Sequence, residues 1–237
     1  MPEIITFDNI GQQGINTDVA AWSLPPDFIT EGRNFRVFAN QIFNSGGASL
    51  WSEAPVSFNP GFIYHVGGTS SNFWVVCGVD AVYAFDGTNW SDISSTAGYD
   101  AISLGQETFW NACQMGRIPV FNHYQIHPEY WSPQSPTQEL QPLPWVAGTS
   151  TWEDANQQCN VIRSHNNFMW ALDLIDNGEE IQDGVRWSHP ADINGLPPSW
   201  DETDPNYLAG KIALGGDTGR VIDGRSLRNQ FVVYSEG

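Results

Sequence analysis

A handful of side-chain groups in the 237-residue chain have the types and spacing to do chemistry. His123, His127 and Glu129 lie in the run HYQIHPE. Histidines four residues apart share one face of a helix and could hold a metal there. Pro128 and the β-rich surroundings argue against a helix, so ordinary surface histidines are expected and no metal site. Asp201, Asp204 and Asn206 in DETDPN, and Asp173, Asp176 and Asn177 in DLIDN, carry the oxygen ligands calcium prefers. Neither run has the loop pattern of a tight site, and both read as solvated turns. Gly215-Gly216-Asp217-Thr218-Gly219-Arg220 is glycine-rich but lacks the lysine and the spacing of a phosphate cradle. A hairpin turn is expected there.

Paired carboxylates could cleave a glycosidic bond if they stood within about 10 Å of each other. With 27 acidic residues, such pairs arise by chance. The D-x-G-x-x-W turn of sialidase-like propellers is missed, because Gly87 follows Asp86 directly. G-x-S-x-G and H-E-x-x-H do not occur. No catalytic residue, cofactor or metal is therefore expected, and no enzyme.

Charge narrows the classes further. Nine basic residues stand against 27 acidic ones, for a formal net charge of −18, and Lys211 is the single lysine. Clamping a nucleic acid requires clustered Lys and Arg to neutralise phosphates, which this composition excludes. An acidic wall that repels DNA and lets it slide past remains open, as does plain solubility or a salty habitat. The N-terminus MPEIITFDNI has neither the basic nor the apolar region of a secretory signal. No run approaches the ~18 apolar residues of a membrane span. A soluble protein without membrane insertion is expected. Cys77, Cys113 and Cys159 are dispersed and read as reduced thiols.

The elements that would position these residues are short strands. Helical periodicity is scarce, with one or two helical turns expected near residues 26–38 and 151–158. Elsewhere short runs of Val, Ile, Phe, Tyr and Trp are bounded by Gly, Asn, Asp and Ser, so the class is mainly β. In FDGTNWSDI, Asp86-Gly87 marks a hairpin turn and Trp90-Ser91 follows it at once. Trp-Ser recurs at Trp22, Trp51, Trp90, Trp131 and Trp187. Aromatic strands beginning at Phe73, Phe109 and Phe168 precede three of these copies, and another begins at Phe231.

Strand groups closed by an indole at intervals of about 40 to 60 residues suit a β-propeller-like assembly of small antiparallel sheets with long irregular loops. Chance recurrence of two common residues is the alternative. On the propeller-like reading Trp51, Trp90, Trp131 and Trp187 are structural packing residues, and Trp90→Ala should cost about 3–5 kcal/mol. Residues 128–144, with five prolines, read as a surface excursion, and residues 183–210 as a long ordered loop anchored by Trp187 and Trp200. Tyr130, Trp200 and Tyr207 are the candidate contact residues on these loops.

The stretch GINTDVAAWSLPPDFITEGRNFRVFANQIFNSGG, with YAFDGTNWSDIS, SHNNFMWALDL, VRWSHPADINGLPPSWDETDPNYLAG and LGGDTGRVIDGRSLRNQFVVYSEG, resembles the tail nozzle or tail-tube hub proteins of short-tailed bacteriophages. The likeness touches most of residues 14–237. It implies a structural virion protein of the tail, made in the host cytoplasm and forming a homo-oligomeric, six-fold ring. Adaptor or portal-side proteins and distal tail proteins would be its neighbours, and DNA would be passing cargo only. It also implies an N-terminal segment, residues 1–55, docking onto ring or adaptor, and a propeller-like domain over residues 56–237. The family's members are longer, so the last strand either closes the ring of blades or leaves it incomplete. The alternative function is a carbohydrate- or receptor-binding tail protein using exposed aromatics.

Overall fold

A computed structural model of the chain describes residues 13, 16, 18–25, 28–29, 35–38, 41–44, 53, 58–67, 72–191, 195–215 and 219–236. It divides into two compact units, Met1–Glu53 and Ala54–Gly237. The first holds a 3₁₀ turn at Ala21–Ser23, with Trp22 almost fully exposed, and an antiparallel pair, β1 (Phe35–Phe38) and β2 (Gln41–Asn44). A strand thus occupies part of the stretch where helical turns were expected. Trp51 lies outside the described residues.

The second unit is a succession of small antiparallel sheets. The first sheet joins β3 (Pro60–Val66), β4 (Phe73–Gly78), β5 (Val82–Phe85) and β6 (Trp90–Asp92) in chain order. The second joins β7 (Asn111–Met115), β8 (Ile118–Asn122), β9 (Glu129–Tyr130) and β10 (Gln141–Pro142). A short pair, β11 (Pro144–Val146) and β12 (Ser150–Thr151), leads into the third sheet. That sheet is β13 (Gln157–His165), β14 (Phe168–Asp176), β15 (Glu179–Trp187) and β16 (Gly210–Ala213), and a hairpin, β17 (Val221–Leu227) and β18 (Gln230–Ser235), ends the chain. The mainly β class is as the sequence indicated.

Local chemistry explains the turns. Between β5 and β6 the Asp86 carboxylate accepts from the amides of Thr88 and Asn89, both at 2.7 Å, and Gly87 adopts φ +96°, which a side chain would resist. Residues 151–158 hold one helical turn, closed by Ala155 N donating to Thr151 O. Phe109-Trp110 opens no strand: a 3₁₀ turn covers Glu107–Phe109, and the buried Trp110 donates its indole N–H to Gly78 O. Residues 128–144 supply the third and fourth strands of the second sheet as well as a loop. Pro142 is tolerated because β10 is an edge. Gly215–Arg220, expected as a hairpin turn, instead connects two different sheets, with residues 216–218 outside the described set.

The core lies between successive sheets. Phe73, Val75 and Ala84 of the first sheet pack with Phe121 of the second and with Trp131 and Leu140 of the loop between its last two strands. Cys113 and Val120 of the second pack with Ile162, Met169 and Leu174 of the third, joined by Trp152 and Trp200. Leu172 and Val185 of the third pack with Val221, Phe231 and Val233 of the hairpin. Each sheet is thus covered by the next in chain order.

The repeating aromatic is a phenylalanine at or next to the start of the second strand in the first sheet, the third sheet and the last hairpin, whereas β8 of the second sheet opens with Ile118. Phe73 opens β4, Phe168 opens β14, and Phe231 is the second residue of β18. The indoles occupy unlike places. Trp131, just after β9, is completely buried and meets Phe73 of the neighbouring sheet edge to face at 5.1 Å. Trp187 ends β15 with its ring over Gly210, where an added Cβ would lie 2.2 Å from the indole. Trp187 also neighbours Trp170, which stacks on Phe231 at 4.8 Å. Trp90 opens a fourth strand, stacks on Phe85 at 4.7 Å and is only half-buried.

The large truncation cost expected for Trp90 therefore belongs to Trp131. Trp131→Ala should lower stability by about 3–5 kcal/mol in urea unfolding, and Trp90→Ala by less than about 2 kcal/mol. Equal losses would show that the difference in burial between the two indoles does not set their cost.

Candidate functional site

The first strand of every four-stranded sheet pairs on one side only, as do the strands of the last hairpin. Each of these leaves a row of backbone donors and acceptors on its other edge, and such groups need partners when they are covered. β3, β7, β13 and β17 meet their successors along this edge, where side chains supply the missing hydrogen bonds.

Asn111, at the start of β7, is the clearest case. Its Nδ2 donates to Asn160 O at 2.8 Å, and its Oδ1 accepts from Ile162 N at 2.9 Å. Further along, Ser164 Oγ donates to Gln114 O at 3.1 Å, and Gln114 Nε2 donates to Gly67 O at 2.9 Å. Between β13 and β17, Arg163 Nε donates to Asp223 Oδ1 at 2.7 Å, and His165 Nδ1 lies 3.0 Å from Ser226 Oγ. Partners advance in the same direction on both strands, so these first strands run side by side in the same sense without a shared backbone ladder.

Two clefts open along the seam. One of about 400 Å³ is lined by Tyr64, Gln114, Arg163, Ser164, Arg225 and Ser226. The other, of about 560 Å³, is lined by Phe109, Asn111, Tyr124, Asn160, Asp173 and Arg220, among others. Asp173 stands in the middle of β14 at φ +54°, where the pairing with β15 jumps from Leu172↔Val185 to Leu174↔Ile181. A bulge turns its carboxylate toward β13 and β17. Oδ2 accepts from Asn160 Nδ2 and from Arg220 Nε, each at 2.5 Å. Burial pushes this carboxyl above its ordinary range, against the pull of both hydrogen bonds.

The other candidate residues lie elsewhere. His123 is buried, its Nε2 2.9 Å from Gln106 O, and burial lowers its pKa. His127 Nδ1 lies 2.8 Å from Gln157 O. Glu129 points to Tyr99, whose hydroxyl donates to it at 3.2 Å. No cluster of metal-ligating side chains forms among the described residues.

Asp176, read from the sequence as part of a solvated turn, instead ends β14 and accepts from Gln157, Lys211 and Arg186. Asp201 and Asp204 accept from their own turns, at Thr203 N and Asn206 N. All three cysteines are unpaired and buried, and burial pushes the Cys113 thiol up to about 12.

Of the loop contact residues, Trp200 is completely buried, edge to face with Trp152 at 4.9 Å, so no face is left for a ligand. Tyr130 and Tyr207 are half-buried, the latter against His189 at 5.3 Å. No helix among the described residues is long and apolar enough to cross a membrane.

Sequence reasoning missed Asn111, Asn160 and Arg220. A lone asparagine opening a strand carries no signal of the neighbour it will satisfy. Asp173 was noticed, but only as a turn carboxylate. No protein-family model matches the chain, and no curated protein matches it in sequence.

Two measurements check this description. Asn111→Ala leaves the Ile162 amide without its partner and Asn160 O with only the longer bond from Asn122 Nδ2 at 3.2 Å, and should cost about 1–3 kcal/mol in urea unfolding. Glu129 titrates in the opposite sense to most surface acids, because burial raises its pKa even though hydrogen bonds from Ser95 and Tyr99 lower it. The native state then keeps a proton that the unfolded chain has released. The stability it contributes is complete below the ordinary carboxylate range and is lost as pH rises through the raised value. Glu129→Gln should therefore raise the urea midpoint at about pH 8 and leave it nearly unchanged at about pH 3.5. An equal shift at both would rule out burial of the charge as the cause.

Proposed function

We propose that the chain is a structural subunit of a bacteriophage tail, a nozzle or hub protein that assembles as a ring around the DNA channel. The supporting fold feature is the row of small antiparallel sheets with neighbouring first strands, which we read as a propeller-like domain. The resemblance of most of residues 14–237 to such tail proteins supports this reading. The ring would be six-fold, with adaptor and distal tail proteins as neighbours.

One observation carries the channel role. Of the seven basic residues whose side chains are described, Arg163, Arg186, Lys211, Arg220 and Arg225 are held in ion pairs with acids of the same chain. A chain of net charge −18 whose cations are occupied this way has little to offer a phosphate backbone. Its acidic surface repels DNA, which suits a wall that DNA must pass without sticking.

Light scattering and negative-stain imaging of the purified protein should show a ring with a central hole and a mass near six times 26.3 kDa. Duplex DNA should not be retained by it, even at about 50 mM salt. A monomer at tens of micromolar, or tight duplex binding, would overturn the proposal.

A further inference from the structure

The larger cleft on the seam has features that neither the packing nor the ring requires. Its volume of about 560 Å³ lies in the range of small-molecule sites. Phe109 stands on its wall with 54% of its surface exposed, and its ring meets Tyr124 edge to face at 5.5 Å. Tyr124 is fixed by donating its hydroxyl to Gln106 Oε1 at 3.0 Å. An exposed phenylalanine held by a second ring offers a flat apolar face beside a polar recess.

The recess is built around Asp173. A left-handed backbone at a residue other than glycine carries strain, and such outliers cluster at functional sites. Asn160 and Arg220 both bind Oδ2, so the carboxylate is held from one side, while Oδ1 makes no hydrogen bond among the described residues. The Thr108 hydroxyl, also on the wall, likewise has no hydrogen bond among them.

Charge selects the ligand class. Asp173 and Glu236 outnumber Arg220 on the lining, which disfavours a phosphate or other anion. Arg220 already balances Asp173, which leaves Glu236 as the single uncompensated acid on the described lining, too little charge to select a cation. A neutral ligand with several hydroxyls and one apolar face fits both halves of the cleft. The geometry points to a saccharide-binding site, in which a sugar ring lies against Phe109 and its hydroxyls donate to Asp173 and exchange hydrogen bonds with Thr108 and Arg220. This site is independent of the ring proposal and differs from the loop aromatics Tyr130, Trp200 and Tyr207.

The test is an array of bacterial surface and cell-wall saccharides probed with the labelled full chain, followed by calorimetric titration of the brightest sugar. Retention of one structural class of sugar is expected. Phe109→Ala should weaken it by at least about tenfold with an unchanged melting temperature, since the ring is exposed. Asp173→Asn should weaken it too. Trp74→Ala, which removes a partly exposed indole on the first sheet, should leave it intact. Silence across the array, binding that survives both cleft substitutions, or binding lost equally in Trp74→Ala would each overturn the site.

Discussion

The architecture of the second unit depends on satisfying the unpaired edge of each first strand. A strand that pairs on one side leaves alternate amides and carbonyls bare on the other, and covering them without partners would be costly. Here the cover is the next sheet, and short polar side chains close the gap. Asn111 and Gln114 from β7, Arg163 and Ser164 from β13, and Asp223 and Ser226 from β17 tie successive sheets together. Because each tie joins a side chain to a fixed backbone or side-chain position, it sets how far one sheet can slide past the next. Apolar contacts behind the seam supply most of the burial but little registry.

The same economy governs charge. Arg186 is buried to within 1% exposure, lies 4.6 Å from the centre of the Trp145 ring, and pairs with Asp176 and Glu202. Lys211 joins the same two acids from the outer edge of the third sheet. Losing one partner of such a buried group leaves a charge without compensation, so breaking the network costs more than the intact network contributes to stability. It fastens the loop carrying Glu202 to the end of β14, and the interlocked rings of Trp145, Trp152 and Trp200 sit beside it.

Much of this was readable in the residues, for physical reasons that differ from case to case. Period-two apolar runs and turn residues announce strands because they report on local backbone geometry. Asp86-Gly87 therefore behaved as its chemistry requires. The recurrence of aromatics pointed to repeated sheets, but the repeating place is occupied by Phe73, Phe168 and Phe231, and the tryptophans fill unlike gaps. A Trp-Ser dipeptide has no intrinsic conformation, so its recurrence could not say which side of a turn each indole would take. Trp200 illustrates a different split: the sequence reads it both as the anchor of a long ordered loop and as a contact residue, and only the anchor fits, since Trp200 N donates to Trp145 O and the ring is completely buried. The seam was least legible, since its partners are 47 to 62 residues apart in the chain.

Every four-stranded sheet here is wired in sequence order, each strand lying beside the one just before it. Such sheets close by local hairpins and avoid the slow search that distant strand pairing imposes. During translation each could form as soon as its last strand leaves the ribosome, with the polar ties to its predecessor following. The order of synthesis would thus become the order of assembly, a half-made chain exposing the edge and the apolar face that its next few dozen residues cover.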